Sequence, residues 1–195
     1  MILGGHEIQK MFKSGHWQAF KGDEPIDYTQ LMYNPNSIDV TLNPEIKVYR
    51  GTVFDFKNPP DSSAYKSIIL DDDGLMLTFG DFVLGCANER FDCCRVVPYI
   101  NQHFFQVLHG KSTVGRAGVC VHATAGFGDF GFKGAFTFEL FSVAPYGIKI
   151  YPGMRIAQIQ FQAVHEPNSY RGGYSGEDHY TQPVAPKGER VFLTE

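Results

Sequence analysis

Between Gly110 and Glu139 the chain carries its densest mixture of Gly, hydroxyl, cationic and acidic residues. Lys111, Ser112, Thr113 and Arg116 open this stretch, a combination that hydrogen-bonds and neutralises phosphate oxygens. An apolar run, Val119 to Ala123, contains His122 and leads into a Gly-Phe turn carrying Asp129. The stretch closes on Glu139, where period-two alternation puts Phe136, Phe138 and Leu140 on one strand face and Ala135, Thr137 and Glu139 on the other. Such a carboxylate is a general base when a pocket covers it and a solvated charge when none does. Taken alone, the Lys and Arg read as solvated surface, His122 as a satisfied core histidine, and Asp129 as a turn residue.

Gly110-Lys111-Ser112-Thr113 also invites a phosphate-loop reading. That motif needs a Gly five residues before Gly110, where Phe105 stands, and a helix after it. A strand-like run is expected there instead, which sets the reading aside.

The elements that must position these residues are short. Ile8, Met11 and Phe12 share a helical face, so one short amphipathic helix is expected over 4–14. From Ser37 onward, β-branched and aromatic runs are cut by Gly, Pro, Asn and Asp. Strands are expected at 38–42, 46–50, 67–70, 75–79, 81–86, 103–107, 118–123, 135–142, 147–151 and 154–163. That spacing indicates an all-β sandwich or barrel. Residues 51–66, with Asn58-Pro59-Pro60-Asp61, read as a surface loop. Asp71-Asp72-Asp73-Gly74 reads as a hairpin turn, because a calcium loop spaces its acids at alternating positions and closes on Glu.

The size of the chain, 195 residues with 43% hydrophobic content, suits one domain, 1–195. A net charge of -4 without cationic runs argues against a nucleic-acid or anionic-membrane surface. Neither a signal peptide nor an eighteen-residue apolar window is visible, so a cytoplasmic location is expected. Cys86, Cys93, Cys94 and Cys120 fit neither a disulfide framework nor a metal spacing, and read as buried or partly buried thiols. From about 166 the chain is poor in aliphatics and reads on its own as a flexible tail.

The order of the central stretch resembles the dCTP deaminase branch of the dUTPase superfamily. The resemblance rests on Lys111-Ser112-Thr113-Val114-Gly115-Arg116, on His122-Ala123-Thr124-Ala125-Gly126, on Asp129, Gly131-Phe132 and Gly134, and on Phe138-Glu139. It extends to Met1-Ile2-Leu3, to Pro35-Asn36-Ser37-Ile38-Asp39-Val40, to Leu84-Gly85, and to Tyr151 through Ile159.

It implies a distorted jelly roll, a homotrimer with sites between subunits, and magnesium carried by the nucleotide triphosphate. It implies Glu139 as catalytic base and then acid, activating the water that attacks C4 of cytosine. Ser112 would lie near the phosphates and that water, and Arg116 would contact phosphate or support the glutamate. Lys111 and Thr113 complete the phosphate cluster, and backbone groups at Ala125 and Gly126 would read the pyrimidine. Asp129 would bond the sugar 3′-hydroxyl. The tail would fold over the nucleotide, bringing Tyr174, Tyr180 and Gln182.

Deamination of dCTP to dUTP and ammonia is the first reading. The alternatives are a bifunctional enzyme giving dUMP and pyrophosphate, a plain dUTPase, which Glu139 disfavours, and an inactive nucleotide-binding trimer. Departures from the family pattern at Lys111, Thr113, Phe127, Gly128 and His179 keep the last reading open. Zinc-dependent base deaminases carry H-x-E and P-C-x-x-C, and neither occurs in this chain. Chelating zinc is therefore expected to leave turnover of dCTP unaltered; a loss that only zinc restores would overturn a zinc-free mechanism.

Overall fold

The computed structural model describes residues 1–93 and 102–165. One helix, α1 (Gly5–Lys13), buries Ile8, Met11 and Phe12, and it stops where the Ser14 N–H bonds the Lys10 carbonyl and Gly15 takes a positive φ. There follow β1 (Gln18–Lys21), β2 (Glu24–Pro25), β3 (Ile38–Thr41), β4 (Glu45–Tyr49), β5 (Tyr65–Ile69) and β6 (Leu75–Leu77). Then come β7 (Phe82–Asp92), β8 (His103–Gly110), a second helix α2 (Ser112–Arg116), β9 (Val119–Cys120) and β10 (Phe127–Gly128). The described chain closes with β11 (Ala135–Ser142), β12 (Ile148–Ile150) and β13 (Arg155–Val164).

The architecture is all-β, a distorted barrel of two sheets around one core. The first sheet runs β2-β1-β7-β11-β9, with β4 also on β7 and β5 on β4; the second runs β10-β8-β13-β3. A small pair, β12 with β6, stands apart. Long β7 holds the first sheet together: Gly85 and Leu84 pair with Phe138 and Glu139 of β11, Leu84 with Lys47 of β4, and Glu89 through Asp92 with β1. Three sheet margins are short. β2, β9 and β10 are two residues each, and β2 ends in Pro25.

An aromatic cluster joins the sheets. Phe161 of β13 lies 4.6 Å from the Trp17 ring and 6.2 Å from that of Phe91 on β7, and Trp17 meets Phe104 of β8 at 6.0 Å. Phe12 brings α1 onto the same cluster, 5.7 Å from Trp17. Edge-to-face and tilted geometries of this kind suit the ring quadrupole.

Most strands expected from the sequence form, within a few residues, while β10 stands where only a Gly-Phe turn was expected and four further features differ. β7 runs on to Asp92 instead of stopping at 86, because Asn88, Glu89 and Arg90 find partners: the Glu89 carboxylate accepts from the Thr41 N–H and hydroxyl at 2.7 Å each, and Asn88 donates to the Leu42 carbonyl. β1 and β2 form a hairpin in a region to which no strand was assigned, with Trp17 and Ala19 buried there. α2 stands where a strand-like run was expected, so that ground against a phosphate loop falls, while Phe105 at the required Gly position keeps it excluded. Residues 71–74 do make a turn, Gly74 donating to the Asp71 carbonyl at φ +70, but not a hairpin, since β5 pairs with β4 and β6 with β12.

Among the described residues, Cys86, Cys93 and Cys120 carry free thiols, Cys86 and Cys93 buried and Cys120 half-buried. Burial pushes the Cys86 thiol up to about 12. No helix among the described residues is long and apolar enough to cross a membrane. Removing the Phe161 ring leaves a void beneath both sheets, so Phe161→Ala is expected to cost about 3–5 kcal/mol of unfolding free energy. Urea denaturation monitored at Trp17 checks this, and an unchanged midpoint would take Phe161 out of its central place.

Candidate functional site

The phosphate-type cluster is split by the fold. Strand β8 ends at Gly110, opposite Ala157 of β13, and the Lys111 N–H continues the ladder by donating to the Ile156 carbonyl at 3.3 Å. From there the Lys111 side chain turns inward to Asp39 of β3, its ammonium 2.7 Å from Oδ1 and 2.6 Å from Oδ2. Asp39 is 2% exposed. Asn34 Nδ2 donates to Oδ1 at 2.6 Å, and Arg155 Nη1 stands 3.5 Å from Oδ2. A carboxylate taken out of water needs such partners, and here they come from three separate parts of the chain.

Ser112, Thr113 and Arg116 go the other way. They lie on the exposed side of α2, and their side-chain polar atoms have no partner among the described residues, while Val114 anchors the helix in the core. Gly118, at φ +97 with its Cα against Ala144, ends the turn and lets β9 start.

Glu139 sits on the outward-alternating side of β11, half-buried, as period two requires. Its N–H donates to the Val121 carbonyl at 3.0 Å, and its Oε2 accepts from the Ala123 N–H at 2.6 Å. The segment after β9 is thus fastened to the glutamate at both backbone and carboxylate. Its far end is fastened to the other sheet: the Leu108 N–H donates to the Gly126 carbonyl at 2.6 Å. The Gly126 Cα lies so close that a Cβ there would fall 2.5 Å from the Leu108 carbonyl oxygen. Only glycine fits this approach.

The Gly126 carbonyl is thus engaged by β8, while Ala125 beside it is exposed at the surface of this segment. His122 differs from expectation. It is half-buried, and its Nδ1 is covered without a partner among the described residues, the neighbouring Val121 carbonyl and Ala123 N–H both being committed to Glu139. Asp129 is a turn residue as expected, its carbonyl accepting from the Phe132 N–H at 2.9 Å, with its carboxylate exposed.

Within one chain the structure therefore joins Glu139 to the 121–126 segment directly, and to α2 indirectly, through β9, whose Cys120 and Val119 pair with Phe141 and Ser142, and through the Val143 N–H, which donates to the Gly118 carbonyl at 2.9 Å. No hydrogen bond or ion pair links Glu139 to Ser112 or Arg116 among the described residues. The 720 Å³ cleft between Lys21 and Gly153, and the 390 Å³ cleft between Asn36 and Gln160, include none of the three. Exposed Phe82 of β7 stacks at 6.4 Å on Phe141, which shares β11 with the glutamate, and Phe79, Val143 and Tyr146 are exposed near these two in sequence. Tyr174, Tyr180 and Gln182 lie outside the described residues. Among the described residues no three His, Cys, Asp or Glu side chains are grouped as metal ligands.

Sequence reasoning missed Asp39 as a member of this region. It was visible as part of Pro35 to Val40, but nothing local ties it to Lys111, 72 positions away.

Residues 2–164 match the family model described as dCTP deaminase-like. A protein of Clostridium beijerinckii named "dCTP deaminase, dUMP-forming" is 38% identical over 184 residues, 94% of this chain and 95% of the relative. One of Cytophaga hutchinsonii with the same name is 36% identical over 187 residues, 95% of each chain. Among solved structures, the 2′-deoxycytidine 5′-triphosphate deaminase of Agrobacterium tumefaciens superposes with a TM-score of 0.60 at 17% identity. That match covers 84% of this chain and 48% of the other, and supports the fold.

Asp39→Asn keeps the shape of the buried network and removes its charge. It is expected to lower the unfolding free energy by about 3–5 kcal/mol, because it strands a partly buried ammonium. Combining it with Lys111→Met should recover part of that loss. Additive losses in urea denaturation would show that the two side chains are not coupled.

Proposed function

The chain belongs to the dCTP deaminase-like family, and from that premise we propose that it converts dCTP to dUMP in two hydrolytic steps. The dUMP-forming names of its relatives favour this over the dUTP-releasing reading that the motifs alone put first. The observation that carries the proposal is the Glu139 carboxylate on the open face of β11, with Oε2 held at 2.6 Å by the Ala123 N–H and Oε1 left to act.

In the first step water adds to C4 of the cytosine ring. Glu139 takes one proton from that water and gives it to ring N3, then passes the proton of the new C4 hydroxyl to the exocyclic amino group, whose bond to C4 breaks to release ammonia and leave the uracil carbonyl. A carboxylate bonded to a backbone donor keeps one orientation while the proton moves, which limits reorganisation during the reaction. Ala125 offers backbone contacts to the ring edge. Ser112, Thr113 and Arg116, turned outward on α2, bind the triphosphate oxygens. Lys111 serves this cluster from behind by holding the start of α2 on Asp39. In the second step a water oriented by Asp129 attacks the α-phosphorus, and the bond to the β-phosphate oxygen breaks to release pyrophosphate. Magnesium enters with the triphosphate as part of the substrate.

The two halves of the site meet across a homotrimer, in which α2 of one subunit faces β11 of the next. The openness of the Glu139 face in the single chain supports this, as do exposed Phe79, Phe82, Val143 and Tyr146. The mass in solution is expected to be three times that of the 21.9 kDa chain.

Incubating the protein with dCTP and magnesium and separating the nucleotides tests the activity: dUMP and pyrophosphate are expected. Accumulating dUTP would reduce the activity to its first step, and unchanged dCTP with nucleotide bound would point to a catalytically silent trimer. Glu139→Gln is expected to slow ammonia release by about 10²–10⁴-fold while dCTP still binds. Undiminished turnover would remove Glu139 from its role.

A further inference from the structure

The 720 Å³ cleft between Lys21 and Gly153 has a cation at its wall that the proposed activity does not use. Arg90 projects from β7, and its side chain is 7% exposed. Its guanidinium lies over the Phe20 ring at 4.2 Å, and its Nε donates to the Gly22 carbonyl at 3.2 Å. Beyond these contacts, one Nη stands 3.9 Å from Asp23, a side chain that is 97% exposed. Burial draws this guanidinium below its ordinary pKa, against the pull of Asp23 and Asp92. A group that stays charged in proteins is therefore largely out of water, and among the described residues its Nη donors make no hydrogen bond, the Asp23 pair being long at 3.9 Å.

The surroundings complement it. Lys21, exposed and unpaired among the described residues, lines the same cleft, together with Asn43 and Asn88. Both amides are held in place: Asn43 Nδ2 donates to Asn88 Oδ1 at 3.2 Å, and Asn88 Nδ2 to Thr41 Oγ1 at 2.9 Å. Glu45 is the one carboxylate on the wall, accepting from the Ser67 hydroxyl at 3.0 Å. With Asp23 beside Arg90, two acids face the two cations, so what the cleft offers an anion is the geometry of its donors and not an excess of charge. It lies away from Glu139 along β7: Arg90 is six residues from Leu84, which pairs with Glu139, or roughly 20 Å of strand.

We propose that this cleft binds a small oxyanion, a carboxylate or a phosphate group, held by the Arg90 fork with Lys21 as second cation. Paired N–H donors in one plane match two oxygens of either group, and the stacking on Phe20 fixes that plane in advance. The volume accommodates a metabolite-sized molecule behind the anion.

Calorimetric titration of the full chain with inorganic phosphate, and separately with acetate, at an ionic strength held constant with chloride, tests the proposal. Saturable binding of at least one anion is expected; a preference for phosphate identifies a phosphorylated ligand, and for acetate a carboxylic acid. Lys21→Met, at an exposed position that leaves the core intact, is expected to weaken binding about tenfold, and Arg90→Lys, which keeps charge but loses the fork, by about as much. No saturable heat with either anion, or unchanged binding in both variants, would overturn the proposal. The readout is binding, so it succeeds or fails independently of the dCTP assay.

Discussion

The Asp39–Lys111 pair is the contact on which this molecule's proposed chemistry rests. A carboxylate on β3 is withdrawn from solvent and matched by an ammonium at the mouth of α2, with Asn34 and Arg155 closing round it. Placing it there is costly unless all the partners arrive together, so the network rewards a single arrangement of β3, β8 and β13. The Glu89 clamp on Thr41 does the same between the two sheets. Aromatic packing through Trp17, Phe91 and Phe161 supplies the bulk of the cohesion, and these polar joints define how the sheets sit within it.

The same logic holds the segment that follows β9. Both of its ends are fixed, one to Glu139 and one to the Leu108 backbone, and the second attachment leaves no room for a Cβ at Gly126. A glutamate whose partner is a backbone N–H cannot lose that partner by a change of rotamer elsewhere. Its surroundings are thus rigid on the side of its own chain and open on the other.

Much of this was legible in the sequence because it depends on local rules. Alternation from Ala135 to Leu140 put Glu139 on the correct face, and helical spacing of Ile8, Met11 and Phe12 located α1. What escaped depends on distant partners. Asn88, Glu89 and Arg90 do not resemble a strand until Thr41, Leu42 and Phe20 are placed beside them. Lys111 looked like one more surface cation beside Arg116, since adjacency in the chain cannot reveal that one side chain turns inward. His122 was assigned a partner on the strength of apolar neighbours, whereas the bonds available there go to Glu139. The Asp71–Gly74 turn was recognised, but not that its flanking strands pair elsewhere.

The two-residue margins β2, β9 and β10 carry a consequence for how copies of this chain can meet. A strand that short exposes too few backbone donors and acceptors to recruit a further strand, and Pro25 removes one of them. Ladder extension, the route by which β-rich proteins polymerise without limit, is thereby blunted at these ends.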